Sequence, residues 1–597
     1  MRKRWMQLVL FVTIVMFINH SLDVQASERA VSTEESAATT EQKCGENLTW
    51  TFADGTLTIS GTGKMYDWKR SDNEGSAPWN DMKQDITNIV IKDGVTNIGA
   101  CAFYKCKNLI KISIPDSITS VEEYAFYSCE NIRYVDLPDN VTHIGWGAFT
   151  FCYTLTSMDM PEKLADMESS VFEGCKGLTR VMFRNGITSI PEYSFYACIN
   201  LTNINIPNSV TSIGDSAFYK CENLSDIYIP KNVTSIGWGT FNNCSKLSSI
   251  QLPEGMTEIG GEAFKECLNL SEVIIPDSVL SIGELAFAGC RNLTNIEIPY
   301  NVNKVGTNAF RETGLTSAVI TAGFSNANLA FYGCDKLKSV RILDGLTKIP
   351  ENMFYKCTNL SEIIIPNSVT AIEARAFYQC QNLINIQIPD SVTDIMYCAF
   401  EGCSKLESIA IPKGVTKIAE STFENCSQLS NVIIPNSVTT IGATAFRQCR
   451  NLINIQIPES VTDIKCFAFE GCSKLESIAI PKGVTKIEAG TFENCSKLSN
   501  VIIPENVINI SERAFQNHSD QFKIIGVSGS YAQTYANEYN INFEAIDRPD
   551  FSVEAEYKVT AEEVDSYLRG ILQDKNFAQG KIDGLSIDFT MKGNTYT

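Results

Sequence analysis

The chain has 597 residues, of which 44% are hydrophobic and 20% charged, a composition that can bury a core and excludes a disordered tether. Its formal net charge of −20 argues against nucleic acid or an anionic membrane as partner, because both would repel it. Only His20, His143 and His518 could supply imidazole, so we expect no metal, no cofactor and no histidine-based catalysis. The composition favours a protein or a glycan as partner.

Residues 1–26 have the pattern of a secretory signal peptide. Three basic residues precede an apolar stretch from Met6 to Ile18, and Val24 and Ala26 provide the small side chains of a cleavage site. The apolar stretch is too short to span a bilayer. We therefore expect cleavage after Ala26, a linker over residues 27–43, and a product that is secreted or held at the extracellular cell surface without membrane insertion.

Residues 44–95 predict a β-rich N-terminal cap. Apolar and polar side chains alternate around Trp50 and Ile59, and Asp54 with Gly55 has the composition of a hairpin turn. Such a hairpin would cover the exposed edge of the first repeat that follows.

A repeat of 23 residues fills most of residues 96–527, predicted as one domain. Nineteen phenylalanines mark it, and the single spacing of 21 residues falls between Phe310 and Phe331. These column phenylalanines, counted as position 0 of their units, are Phe103, Phe126, Phe149, Phe172, Phe195, Phe218, Phe241, Phe264, Phe287, Phe310, Phe331, Phe354, Phe377, Phe400, Phe423, Phe446, Phe469, Phe492 and Phe515.

The unit carries Cys at +3, Leu at +6, Ile or Val at +9 and +11, Pro at +12, Val at +15 and Ile at +18. Positions +9 and +11 predict a very short strand whose side chains point inward, with +8 and +10 pointing outward. Proline at +12 ends that strand. The Ala-Phe-x-x-Cys stretch predicts one helical or 3₁₀ turn on the far side. Stacked units give a right-handed, β-dominated α/β leucine-rich-repeat solenoid with a parallel sheet.

The C-terminal half contains a duplication. Residues 377–445 and 446–514 are near copies, each three units long. Residues 528–546 then predict a C-terminal cap made of a short helix and a last strand. Residues 547–597 predict a small α+β module of unknown role, with an amphipathic helix over 561–574 and a strand from Leu585 to Phe589.

The unit closely resembles the BspA-like class of leucine-rich repeats of bacterial cell surfaces. The segments CGENLTWTFADGTLTISGTGKMYDW and GSYAQTYANEYNINFEAI are similar to the entry and the ending of such repeat regions, so that the resemblance covers residues 44–546. It implies a secreted or surface-displayed binding protein, with adhesion to host or matrix components, and it carries over no catalytic residue. No Leu-Pro-x-Thr-Gly wall anchor is recognisable in the sequence.

Seventeen of the 19 positions at +3 are cysteine, and the chain has 21 cysteines in all. We predict a column of buried thiols, because cysteine packs as a small apolar side chain in a recurring slot. Metal binding would need ligand pairs at closer spacing. The only disulfide worth testing joins Cys101 to Cys106 or to Cys44.

The predicted ligand-binding residues lie on the outward strand face of the N-terminal half, where large or charged side chains concentrate. They are Tyr134, Asp136, Arg180, Asp226, Tyr228, Glu272 and Glu297. Trp146 and Trp238, in the matching segments IGWGAF and IGWGTF, are further candidates. A row of tyrosines at +1 could either stack on a ligand or shield the core: Tyr104, Tyr127, Tyr196, Tyr219, Tyr332, Tyr355 and Tyr378.

Two other functions are open at this point. The solenoid could be a structural spacer that displays the C-terminal module. It could also be a glycan-cleaving enzyme, since Asp136 and Asp159 occupy the same position of adjacent units, at about the separation of a retaining pair of carboxylates. Because acids are scattered along this face without a focal cluster, we expect a non-enzymatic recognition protein.

Overall fold

The computed structural model describes residues 42–69, 77–184, 186–546, 589–591 and 594–596, which form a solenoid of parallel coils and a separate small hairpin, Phe589–Met591 with Asn594–Tyr596. The predicted signal peptide, helix 561–574 and all but the last residue of strand 585–589 lie outside these residues, as does nearly all of the predicted linker. The part of the chain described contains no helix with the length and apolar character needed to cross a bilayer.

One side of most coils carries the strand that the sequence predicts, and these strands form the first ladder. Among the described residues, the units that begin at Phe126, Phe218, Phe287, Phe377 and Phe446 have no strand there. Where neighbouring strands are hydrogen-bonded, they pair in parallel with a register of one repeat, as Arg180 does with Asn203. Its strands are Asn88–Ile91, Lys111–Ser113, Ser157–Asp159, Arg180–Met182, Asn203–Asn205, Ser249–Gln251, Glu272–Ile274, Ser317–Ile320, Ser339–Ile342, Glu362–Ile364, Ser408–Ala410, Asn431–Ile433, Ser477–Ala479, Asn500–Ile503, Lys523–Val527 and Asn542–Ile546.

A second ladder, which the sequence analysis missed, runs along positions +17 and +18. Its strands have two residues each, and the isoleucine, valine or methionine at +18 points into the core. They are Asn97–Ile98, Ser120–Val121, His143–Ile144, Asp166–Met167, Ser189–Ile190, Ser212–Ile213, Ser235–Ile236, Glu258–Ile259, Ser281–Ile282, Lys304–Val305, Lys348–Ile349, Ala371–Ile372, Asp394–Ile395, Lys417–Ile418, Thr440–Ile441, Asp463–Ile464, Lys486–Ile487 and Asn509–Ile510.

On the third side of the coil, the structure has turns with left-handed residues where the sequence predicts a helical or 3₁₀ turn around the column phenylalanine. Residues at −2 and +2 have left-handed backbone angles, as in Cys101 (φ 56°) and Lys105 (φ 60°). These turns place backbone N–H groups toward the next coil, so that Phe103 donates to the carbonyl of Ala125 at 2.8 Å. Within the described residues, 3₁₀ helices occur only at Asn80–Met82 and Ala322–Phe324.

The core consists of columns of like side chains. Consecutive column phenylalanines have ring centroids 5.1–5.8 Å apart, most of them stacked nearly parallel. The predicted thiol column is confirmed: all 21 cysteines are free, and 20 of them are buried. From Cys129 onward, each +3 thiol also donates a hydrogen bond to a column phenylalanine carbonyl of the preceding coil, with Sγ to O distances of 3.1–3.3 Å.

The one unit of 21 residues has a local structure that differs from the other units. The short unit between Phe310 and Phe331 lacks a second-ladder strand and has the 3₁₀ helix Ala322–Phe324 instead. Its Phe324 ring is fully buried and lies 6.2 Å from Phe310 and 5.7 Å from Phe331. An extra aromatic ring therefore fills the space that the two missing residues leave.

Both ends of the solenoid are covered. At the N-terminus, Lys43–Gly45, Leu48–Ala53 and Thr56–Gly61 form an antiparallel sheet, and Thr56–Gly61 pairs in parallel with Asn88–Ile91. The first ladder thus begins inside the segment predicted as the cap. The reason is Trp79, which stacks on Phe103 at 5.9 Å and replaces a column phenylalanine.

At the C-terminus, the helix Tyr531–Glu538 and the strand Asn542–Ile546 follow the last units, where the sequence predicts a helix and a strand. The helix buries Ala532, Tyr535 and Ala536. The strand pairs in parallel with Lys523–Val527 and ends the first ladder.

Candidate functional site

All seven predicted strand-face residues are exposed on the side of the coil along which the first ladder runs, and Arg180 and Glu272 lie within its strands. They are exposed because the core takes the side chains at +9 and +11, which leaves +8 and +10 pointing to solvent. Tyr134 is 52% exposed and Tyr228 59%, large values for aromatic side chains. The two tyrosines therefore place apolar rings where a partner could cover them.

Four polar residues on successive coils form a connected group at the N-terminal end of this face. Asp136 lies beside Tyr134 and raises the pKa of its phenol, because the carboxylate charge disfavours ionisation. On the following coils, the Arg180 guanidinium donates a hydrogen bond to the Asp159 carboxylate at 2.9 Å. This group presents an aromatic ring, a carboxylate and an Arg–Asp ion pair to solvent.

The other predicted residues continue the row and do not join this group. Asp226 and Tyr228 lie on a later coil, where the Tyr228 hydroxyl donates to the Asn208 side chain at 3.2 Å. Glu272 and Glu297 lie on later coils again. Since adjacent strands are about 4.8 Å apart, the row from Tyr134 to Glu297 extends over about 34 Å.

The arrangement does not support the pair of acids that a glycosidase needs. Such an enzyme uses one protonated and one ionised carboxyl group on either side of the bond that it cleaves. Here Asp159 is in an ion pair with Arg180, and Asp136 lies against Tyr134. No group of three or more His, Cys, Asp or Glu side chains in the described ranges is placed to hold a metal ion.

Trp146 and Trp238 lie at a different corner of the coil, two residues after the second ladder. They are 39% and 49% exposed. Trp146 packs edge-on against Tyr124 at 4.6 Å, and the Trp238 backbone N–H donates to the Asp215 carboxylate. The structure therefore separates the two tryptophans from the seven strand-face residues.

The tyrosines at +1 stack on each other. Ring centroids are 4.9 Å apart for Tyr104 with Tyr127 and 4.6 Å for Tyr196 with Tyr219. Tyr355 lies 5.0 Å from Tyr332 on one side and 4.5 Å from Tyr378 on the other. Each of these rings therefore has one face covered by a neighbouring tyrosine, and Tyr355 has both faces covered.

The sequence analysis missed exposed aliphatic side chains on the same strand face. Ile274, Ile364 and Ile433 are 65%, 61% and 59% exposed. All three occupy +10, the position that Tyr228 takes in its own unit. The sequence does indicate them, because an isoleucine at the outward position +10 has no packing role in the coil.

A family model of the BspA type leucine rich repeat region matches this chain six times, at residues 81–198, 171–290, 211–329, 257–361, 327–452 and 416–544. The chain belongs to this family. Its repeats are therefore leucine-rich repeats of the BspA type. No curated protein matches the chain.

Several solved structures are similar to this BspA-type chain. A leucine-rich repeat protein from Bacteroides ovatus ATCC 8483 has 21% identity and a TM-score of 0.34, covering 81% of this chain and 99% of that one. One from Eubacterium ventriosum ATCC 27560 has 23% identity and a TM-score of 0.32, covering 72% and 93%. A leucine rich cell surface protein from Faecalibacterium prausnitzii A2-165 has 23% identity and a TM-score of 0.22, covering 86% and 100%.

Proposed function

We propose that this BspA-type protein is a secreted or surface-displayed recognition protein that binds a protein or a glycan through the outward face of its first ladder. The observation that carries the proposal is the exposed row from Tyr134 to Glu297, with Asp136, Arg180 and Tyr228 between them. Tyrosine and arginine are the side chains that most often supply binding energy at interfaces.

The N-terminal half is the better candidate for specific contact. Its outward side chains differ from coil to coil, whereas the duplicated half repeats small or uncharged ones such as Asn385, Ser408 and Asn431. The proposed role is adhesion without chemistry, because Asp136 and Asp159, the only acid pair singled out on this face, are engaged with Tyr134 and Arg180.

The test begins with an array of glycans and extracellular matrix proteins probed with the secreted protein. For the strongest ligand, we expect the double variant Tyr134→Ala, Tyr228→Ala to weaken binding at least tenfold, in line with hot spots of about 2 kcal/mol or more. Its melting temperature should stay near that of the wild type, because neither ring is in the core.

The matched control is Asn431→Ala with Asn454→Ala, which should bind like the wild type. Wild-type affinity in the tyrosine variant, together with loss in the control, would move the site to the duplicated half. Absence of any ligand on the array would favour a structural spacer.

A further inference from the structure

A cavity of about 330 Å³ lies at the corner that follows the second ladder, between the coils that begin at Phe377 and Phe400. This volume is within the range of small-molecule sites, about 300–1,000 Å³. The side chains that matter for its chemistry are Asp394, Met396, Tyr397, Lys417, Ala419 and Glu420. The corner is separate from the strand face of the proposed function.

The duplication provides a comparison inside the same molecule. The blocks 377–445 and 446–514 differ at 17 of their 69 positions. The seven residues from +6 to +12 are identical in all three pairs of units. In contrast, the three residues before each Ala or Thr that precedes a column phenylalanine differ in every pair. Four of the nine residues that line the cavity belong to these variable triplets: Met396, Tyr397, Ala419 and Glu420.

In the second block, Asp463 corresponds to Asp394 and Lys486 to Lys417, and each of the two is in an ion pair. Lys465 binds Asp463 at 2.9 Å, and Glu488 binds Lys486 at 2.8 Å. The first block has Met396 in place of that lysine and Ala419 in place of that glutamate.

The same two charges are therefore open in the first block. Among the described residues, neither Asp394 nor Lys417 is in an ion pair; the Asp394 carboxylate accepts one hydrogen bond, from Thr393 at 3.1 Å. The two residues occupy the same position of adjacent coils, about 4.8 Å apart along the stack. Glu420 adds a second carboxylate at the rim.

An apolar wall faces these charges. Met396 and Tyr397 are 42% and 43% exposed. Arg375 stacks on Tyr397 at 4.9 Å and holds the ring in place. Thioether and aromatic groups pack well against an apolar side chain of a ligand.

We propose that this corner binds a free α-amino acid with an apolar side chain. The ammonium group lies against Asp394 and Glu420, the carboxylate against Lys417, and the side chain packs on Met396 and Tyr397. A zwitterion matches the site because its two opposite charges are only a few ångströms apart, as are the two adjacent coils.

Titration calorimetry of the secreted protein with L-phenylalanine and L-methionine tests the proposal. We expect saturable binding of one molecule per chain. Phenethylamine, which lacks the carboxylate, and 3-phenylpropanoate, which lacks the ammonium, should each bind at least tenfold more weakly. Absence of saturable binding by both amino acids, or equal binding of either analogue, would overturn the proposal.

The second block supplies the variants. Met396→Lys with Ala419→Glu installs the ion pairs of the copy, so it should fold as well as the wild type and lose amino-acid binding at least tenfold. Lys486→Met, in the copy, should leave binding unchanged. An unchanged affinity in the first variant, or a loss in the second, would contradict the assignment to this corner.

Discussion

From Cys129 onward, each thiol of the +3 column is both a small apolar group and a hydrogen-bond donor. The Cys129 sulfur, 3.2 Å from the Phe103 carbonyl oxygen, gives that oxygen a second hydrogen bond beside the one it accepts from the Cys106 backbone N–H. Burial raises the pKa of Cys106 and of Cys403 to about 12. Because the thiolate is the reactive form, these cysteines should be inert at neutral pH even in an oxidising compartment.

We predict that Cys466 dominates thiol chemistry of the folded protein. It is the one cysteine of the 21 that is partly exposed. A thiol reagent at pH 8 should label about one cysteine per native chain, and Cys466→Ser should remove most of that signal. Denaturation without reductant should expose the others. Peptide mapping that found disulfides between neighbouring +3 cysteines would contradict the buried column.

At the scale of the element, the coil depends on two left-handed residues per turn. An ordinary side chain in this conformation costs about 1–2 kcal/mol, and asparagine or glycine reduces the cost. Asparagine occupies +2 in several units, for example Asn243 and Asn425, whereas Glu266 (φ 57°) has the same angle without that advantage.

We predict that Glu266→Asn raises the free energy of unfolding by up to about 1 kcal/mol, because asparagine tolerates the left-handed angle. The reverse change, Asn425→Glu, should lower it by a similar amount. Guanidinium unfolding followed by circular dichroism measures both. Destabilisation by Glu266→Asn would show that the glutamate side chain contributes more than its backbone strain costs.

The sequence predicts the first ladder and misses the second for a physical reason. Positions +9 and +11 alternate with outward residues and end at a proline, which is enough to identify a strand. A strand of two residues such as Ser189–Ile190 is too short to show alternation. The left-handed turns are equally hidden, because Cys101, Tyr124 and Leu285 adopt them and none of these residue types favours that conformation.

At the scale of the whole molecule, each coil contacts mainly its two neighbours, so that stability is close to a sum over repeats. We predict that deletion of residues 446–514 leaves a folded protein. The junction joins Ala445 to Phe515, which restores the Ala-Phe pair of the unit. Small-angle scattering should show a particle shorter by about 14 Å, three strand spacings.

Deletion of residues 446–513, one residue fewer, is the matched control. It leaves an extra alanine before Phe515 and puts the following side chains out of register with the columns. We expect a lower melting temperature than for the in-register deletion. Equal stability of the two would show that the coils adjust their register freely.

The candidate sites differ in how far the sequence alone could predict them. The strand-face row follows from periodicity, because outward positions are fixed once the inward ones are known. The contacts of the candidate residues do not follow from the period. Arg180 binds Asp159 on the preceding coil, and Trp146 lies at another corner of the coil, against Tyr124. The corner cavity depends on where Met396 and Lys417 lie in space, which a period cannot give.

The identical register of neighbouring coils also bears on how such a gene changes length. Unequal recombination between the two copies adds or removes 69 residues and always rejoins a column phenylalanine to the small residue before it. Every product keeps both caps and a continuous core. The length of the solenoid could therefore vary between strains in steps of about 14 Å, and each variant would still fold.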